Sequence, residues 1–307
     1  MQPTLSIVQR NPKVRALEQL SLSEIRSLPP QATVFFQAVG GLEPHGENYP
    51  IGCDILEALE TIDFLTSVDI SESPDQELKS MVPVVGYPIE FSPQLHLKKL
   101  APQLNAIAFK QIILNRAELL SKLGFKKCIW VTGTRTPRHL GILHEALEIA
   151  KRKFHTDHLL MGYHEKSSAT ENASLLYPAT QSHGHVHEES LLQRLRMNLP
   201  AIHSSSTKAA VEFSLKKWWF NETPLSWNNI ARETSAEDQK ILLHKERRFL
   251  MLLLKDFLKE PRQVSHLAPP GALYPWNRSY LKSYLIGVVT AVLWAFIVSW
   301  ALMDLIP

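Results

Sequence analysis

Cysteine is scarce in this chain: Cys53 and Cys128 are the only two among 307 residues. Two thiols build no disulfide framework, and without a Cys-x-x-Cys pair there is no thiolate zinc site of the finger or ribbon kind. Such usage fits a reduced compartment. An excess of one charge is missing as well, since 33 Lys and Arg stand against 30 Asp and Glu for a formal net charge of +3. That balance speaks against a nucleic-acid binder, which needs a concentrated positive surface. The polar stretch from Met1 to Pro12, with no apolar run after it, does not read as a signal peptide.

Long uncharged apolar sequence is absent until Tyr284 to Met303, Y-L-I-G-V-V-T-A-V-L-W-A-F-I-V-S-W-A-L-M. At about 1.5 Å of rise per residue, roughly 20 helical residues cross the ~30 Å hydrocarbon layer of a bilayer. A single transmembrane helix is therefore expected here, with a buried core helix as the alternative. Arg278 and Lys282 precede the segment and only Asp304 follows it, which places the N-terminal domain in the cytoplasm. Tyr280, Tyr284 and Trp300 suit the two headgroup levels. The expected organisation is a domain over residues 1–260, a Pro-rich linker over 261–283 and the membrane helix over 284–303.

Within the domain, Ala32 to Gly40, Met81 to Tyr87 and Lys127 to Gly133 are short apolar runs of the kind buried parallel strands show, and His158 to Tyr163 is a weaker one. Helical spacing covers Asn105 to Leu123, stopped by Gly124, and Leu140 to Phe154. A later helix spans Leu242 to Lys259, with a stripe at Leu250, Leu253, Leu254 and Leu258. The β-α-β-α order predicts a layered αβα sandwich with a mostly parallel sheet, whose ligands collect at the carboxyl ends of the strands.

After the first strand comes G-G-L-E-P-H-G-E-N-Y-P-I-G-C-D, Gly40 to Asp54, which gathers Glu43, His45 and Asp54 in one loop. Imidazole nitrogen and carboxylate oxygen form the ligand set of zinc, manganese or iron(II), and an aspartate can bridge two ions. A hydrogen-bonded loop histidine is the other reading of the same spacing.

This segment resembles the first signature of the creatininase family of amidohydrolases, Gly-x-x-Glu-x-His-Gly-x-His-x-Pro-x-x-x-Asp, with Gly40, Glu43, His45, Gly46, Pro50 and Asp54 in register. V-P-V-V-G-Y at 82–87 and L-L-S-K-L-G-F-K-K-C-I-W-V-T-G at 119–133 are similar to the family's later strands and their turns. H-G-H-V-H-E-E-S-L-L at 183–192 resembles its His-Ala-Gly-x-x-Glu-Thr-Ser segment, matching at His183 and Ser190, with Glu188 in the acidic place. The resemblance implies a divalent metal centre and hydrolysis of a carbon–nitrogen bond in a small cyclic or linear amide by a metal-activated water. It implies Glu43, His45 and Asp54 as ligands, with Asp54 as the bridge. His183 and Glu188 would serve catalysis through proton transfer to the leaving nitrogen, with Glu188 also a candidate ligand. Many members of that family form rings, so a homo-oligomer is a further implication.

The chain departs from the pattern after its central strand. Where the family has Asn-Gly-His-Gly-Gly-Asn, this sequence has Thr132 to Pro137, so the expected histidine ligand is Thr134 and the following glycines are Arg135 and Thr136. A threonine hydroxyl is a poor ligand for these metals at neutral pH. Asn48 replaces the second histidine of the first signature. His183, His185 and His187 would share one face if extended, the alternative being a solvated loop. His139 is expected on the first turn of a helix, facing water. Arg135 and Arg138 form a pair that could hold an anion, or else remain solvated. Two functions follow: a membrane-tethered amidohydrolase with a reduced, single-metal site, or a non-catalytic ligand-binding or assembly module of the same fold on a membrane anchor.

Overall fold

The computed structural model describes residues 11–42, 51–67, 76–93, 104–134, 137–161, 236–260 and 288–295. Five parallel strands form one sheet: β1 (Arg15–Ala16), β2 (Thr33–Val39), β3 (Val82–Ile89), β4 (Lys127–Thr132) and β5 (Asp157–Met161), in the order β1-β3-β2-β4-β5. The α-helices among the described residues of the domain are α1 (Leu22–Ser27), α2 (Cys53–Ser67), α3 (Gln76–Ser80), α4 (Ala106–Lys122), α5 (Pro137–Phe154) and α6 (Ala236–Lys259).

The sheet is apolar on both faces because every second residue must bury against a helix layer. Val34, Phe36 and Ala38 of β2 join Ile129 and Val131 of β4 under α2 and α6. Phe35 and Val39 join Cys128 and Trp130 under α4 and α5. On α2, Ile55, Ala58, Leu59, Ile62 and Leu65 recur at helical spacing, and all five are buried. Helix α6 lays Leu250, Leu253, Leu254, Phe257 and Leu258 on the same side. Its Arg247 reaches Glu60 of α2 at 2.7 Å, with the guanidinium 4.7 Å from the Phe64 ring centre. The stripe expected over Leu242 to Lys259 is thus present on a longer helix.

Helix α4 starts at Asn105, whose side chain accepts from the Ala108 N–H at 2.8 Å, and stops at Gly124, φ 92°. The Phe125 N–H returns to the Leu120 carbonyl and the Gly124 N–H to that of Ser121, which satisfies carbonyls the helix end would otherwise orphan.

The topology singles out one strand end. The chain leaves β2 for α2 on one face of the sheet, whereas it leaves both neighbours, β3 and β4, for α4 and α5 on the other. Exits that part to opposite faces open a crevice at the carboxyl end of β2, the place where ligands bind in sheets of this kind. A bulge reinforces it: β2 and β3 slip register between Gln37 and Val39, and the Gln37 amide donates to the Tyr87 and Ala38 carbonyls there.

No helix among the described residues is long and apolar enough to cross a membrane. Residues 288–295 are helical and exposed, including Val288, Val289, Val292, Leu293 and Trp294. The rest of 284–303, and the stretch 261–283 expected to be a linker, lie outside the described residues.

Candidate active site

Three segments meet at the β2 crevice. Gly40 and Gly41 end β2, Gly133 and Thr134 end β4, and Asp54 sits in the first turn of α2. The glycines are there because the segments nearly touch. A Cβ on Gly133 would fall 2.2 Å from the Asp54 carbonyl oxygen, and one on Gly40 would fall 3.0 Å from the Asp54 Cβ. Asp54 is therefore held between the two central strand ends, and it is 6% exposed.

The Thr134 hydroxyl joins the segments. It accepts the Gly41 N–H at 2.9 Å and donates to Asp54 Oδ2 at 2.5 Å. The chain thus places Thr134 beside Asp54, in hydrogen-bond contact with it.

Two sequence expectations are corrected here. Asp54 does not lie in a loop with Glu43 and His45 but on α2, because the apolar spacing of that helix begins with Ile55 and draws the preceding turn into it. His139 does not face water. It is fully buried, with Nδ1 3.3 Å from the Ser92 hydroxyl, Nε2 3.1 Å from the Thr132 hydroxyl and its ring 5.0 Å from that of Phe109. Burial pushes its pKa down to about 3, so the imidazole is neutral. Sequence reasoning missed the Ser92–His139–Thr132 group, although spacing carried the signal: His139 stands three, four and seven residues before the buried Ile142, Leu143 and Ala146.

Glu43, His45, Asn48, His183, His185, His187 and Glu188 lie outside the described residues, as do Arg135 and the side chain of Arg138. Of the candidate ligands, the structure places Asp54. Among the described residues no group of three or more His, Cys, Asp or Glu side chains is arranged to hold a metal ion.

No protein-family model matches the chain, and no curated protein sequence is similar to it. Solved structures do match. A zinc–zinc form of a creatininase variant superposes with a TM-score of 0.55 at 14% identity, covering 79% of this chain and 98% of its own. The fold is that of creatininase. The manganese form of creatininase agrees, with a TM-score of 0.53 at 12% identity over the same shares. So does a putative creatinine amidohydrolase from Bacteroides fragilis, with a TM-score of 0.54 at 14% identity, covering 80% of this chain and 97% of its own. At these identities the likeness to creatininase is one of fold, and it extends over nearly the full length of those enzymes.

Proposed function

We propose that this chain is a creatininase-like, metal-dependent amidohydrolase of small amides, tethered to a membrane by residues 284–303. The observation that carries the reading is the position of Asp54: a buried carboxylate at the topological crevice of a creatininase fold, clasped by both central strand ends. Creatininase structures hold zinc or manganese, and one variant is complexed with creatine, a small guanidino acid. The donor types suit a divalent cation: Asp54 would supply hard oxygen, and Glu43 and His45, from the adjoining stretch of sequence, would complete the ligands. It fits one ion better than a bridged pair, because Thr134 engages Asp54 Oδ2 from the position where the family signature has a histidine. When bound, the ion would polarise the amide carbonyl and acidify water. The protein's part is to orient the Asp54 carboxylate through Thr134 and Gly41, and to let His183 and Glu188 move the proton to the leaving nitrogen.

The same hydrogen bond favours the second reading, a non-catalytic binding module, since it engages Asp54 Oδ2 without metal. Hydrolysis separates the two. The detergent-purified chain loaded with manganese or zinc should hydrolyse at least one member of a panel of small cyclic and linear amides that includes creatinine, and a chelator should stop it. A metal-loaded chain inert toward the whole panel would leave the binding module as its function.

Support for the tether comes from the charge-free length of 284–303 and from the exposed apolar side chains of the helix at 288–295. Ending the chain after Pro275 should give a protein that remains in solution without detergent. Full-length protein partitioning entirely into the aqueous phase would contradict the tether.

A further inference from the structure

We propose that His139 is a positioning residue for the Asp54 site, acting through a one-way chain of hydrogen bonds that runs from Ser92 through Thr132 to the Thr134 turn. The donors follow from counting protons. Thr132 has one hydroxyl hydrogen and directs it to the Thr134 carbonyl at 3.3 Å, so its oxygen accepts at 3.1 Å from His139 Nε2. Nε2 then carries the ring proton, and Nδ1 accepts from the Ser92 hydroxyl at 3.3 Å. Beyond the turn, the Gly41 N–H occupies a lone pair of the Thr134 hydroxyl, which turns that hydrogen toward Asp54 Oδ2.

Each group in this chain is 7% exposed or less: Ser92 4%, His139 0%, Thr132 2%, Thr134 1% and Asp54 6%. Water therefore does not compete for these bonds, and a misdirected hydroxyl would leave a buried polar atom without a partner. The neutral state of the buried imidazole agrees with a ring that donates on one side and accepts on the other. His139 belongs to α5, Ser92 follows β3, Thr132 ends β4 and Asp54 lies in the first turn of α2, so these bonds tie three elements to the carboxylate of a fourth. Its effect is to fix the Thr134 turn and, with it, the rotation of the Asp54 carboxyl group. For the metal that this carboxylate would hold, the inference rests on the proposed function; for the direction of the hydrogen bonds it rests on geometry alone.

Two measurements on the full-length chain in detergent test it. In protein labelled with nitrogen-15 at histidine, the His139 ring should show the neutral Nε2–H pattern in two-bond nitrogen–proton spectra, with a slowly exchanging ring proton that Thr132→Val makes exchange fast. An Nδ1–H pattern overturns the proposal. Zinc affinity is the second readout: His139→Leu should weaken binding by about tenfold or more, whereas His139→Gln, whose amide N–H can replace Nε2–H, should restore it to within about threefold of wild type. Equal losses in the Leu and Gln variants at matched thermal stability also overturn it. If wild-type protein takes up no zinc, the hydrolase reading fails, and the histidine spectra still decide the direction of the chain.

Discussion

Gly133→Ala should cost the domain about 3 kcal/mol, near the top of the usual range for overpacking, and should abolish any binding that depends on Asp54. The new methyl carbon would lie 2.2 Å from the Asp54 carbonyl oxygen and 2.8 Å from its Cα. Those atoms are helix backbone, so no side chain can swing aside. Either the end of β4 or the first turn of α2 must move, and Thr134 is attached to the one as Asp54 is to the other. Gly40→Ala should be milder, because its closest atom is the Asp54 Cβ at 3.0 Å. Urea unfolding of the detergent-solubilised variants checks the order, and equal stability of Gly133→Ala and wild type would contradict the packing described.

Acid should destabilise the domain well before its exposed carboxylates are protonated. His139 and His158 are both buried, and burial pushes each pKa down to about 3 from 6.5. His158 accepts the Trp130 indole N–H at Nδ1, 3.1 Å, so its Nε2 carries the proton toward the Thr156 hydroxyl at 2.8 Å. Above pH 6.5 both rings are neutral folded or unfolded, and stability is insensitive to them. Below it the unfolded chain binds protons that the folded one refuses, so stability falls as pH drops toward 3. At pH 5 the loss is about 2 kcal/mol for each ring and roughly 4 kcal/mol for the two. Asp157, its pKa raised chiefly by burial, works weakly in the opposite direction. Comparing urea midpoints at pH 7 and pH 5 tests this, and His158→Gln should remove about half of the difference. Identical midpoints at the two pH values would show that these rings are not buried as neutral imidazoles.

The sheet was legible because a strand covered on both faces leaves an unbroken apolar run. Ala32 to Gly40 contains Thr33–Val39, and Lys127 to Gly133 contains Lys127–Thr132. The short edge strand β1, two residues long, had no such signal. Helix α2 carried apolar spacing from Ile55 onward, yet a signature written across Gly40 to Asp54 reads as one loop and hides the helix start. Asp54 was legible by its register in that signature. What no signature contains is its clasp, since Gly133 and Thr134 come close to Asp54 only once β2 and β4 pair. The burial of His139 was available from its spacing to Ile142, Leu143 and Ala146, which a first-turn position on the helix does not by itself reveal.

Metal titration tests the central claim most directly. Chelator-stripped, full-length protein should take up one zinc or manganese ion per chain by calorimetry, and saturation should raise its unfolding free energy, by about 2.7 kcal/mol at a hundredfold excess over Kd. Asp54→Ala should take up none while unfolding as a single cooperative domain. No uptake by wild type, or the same uptake by Asp54→Ala, would contradict a metal centre at the carboxyl end of β2.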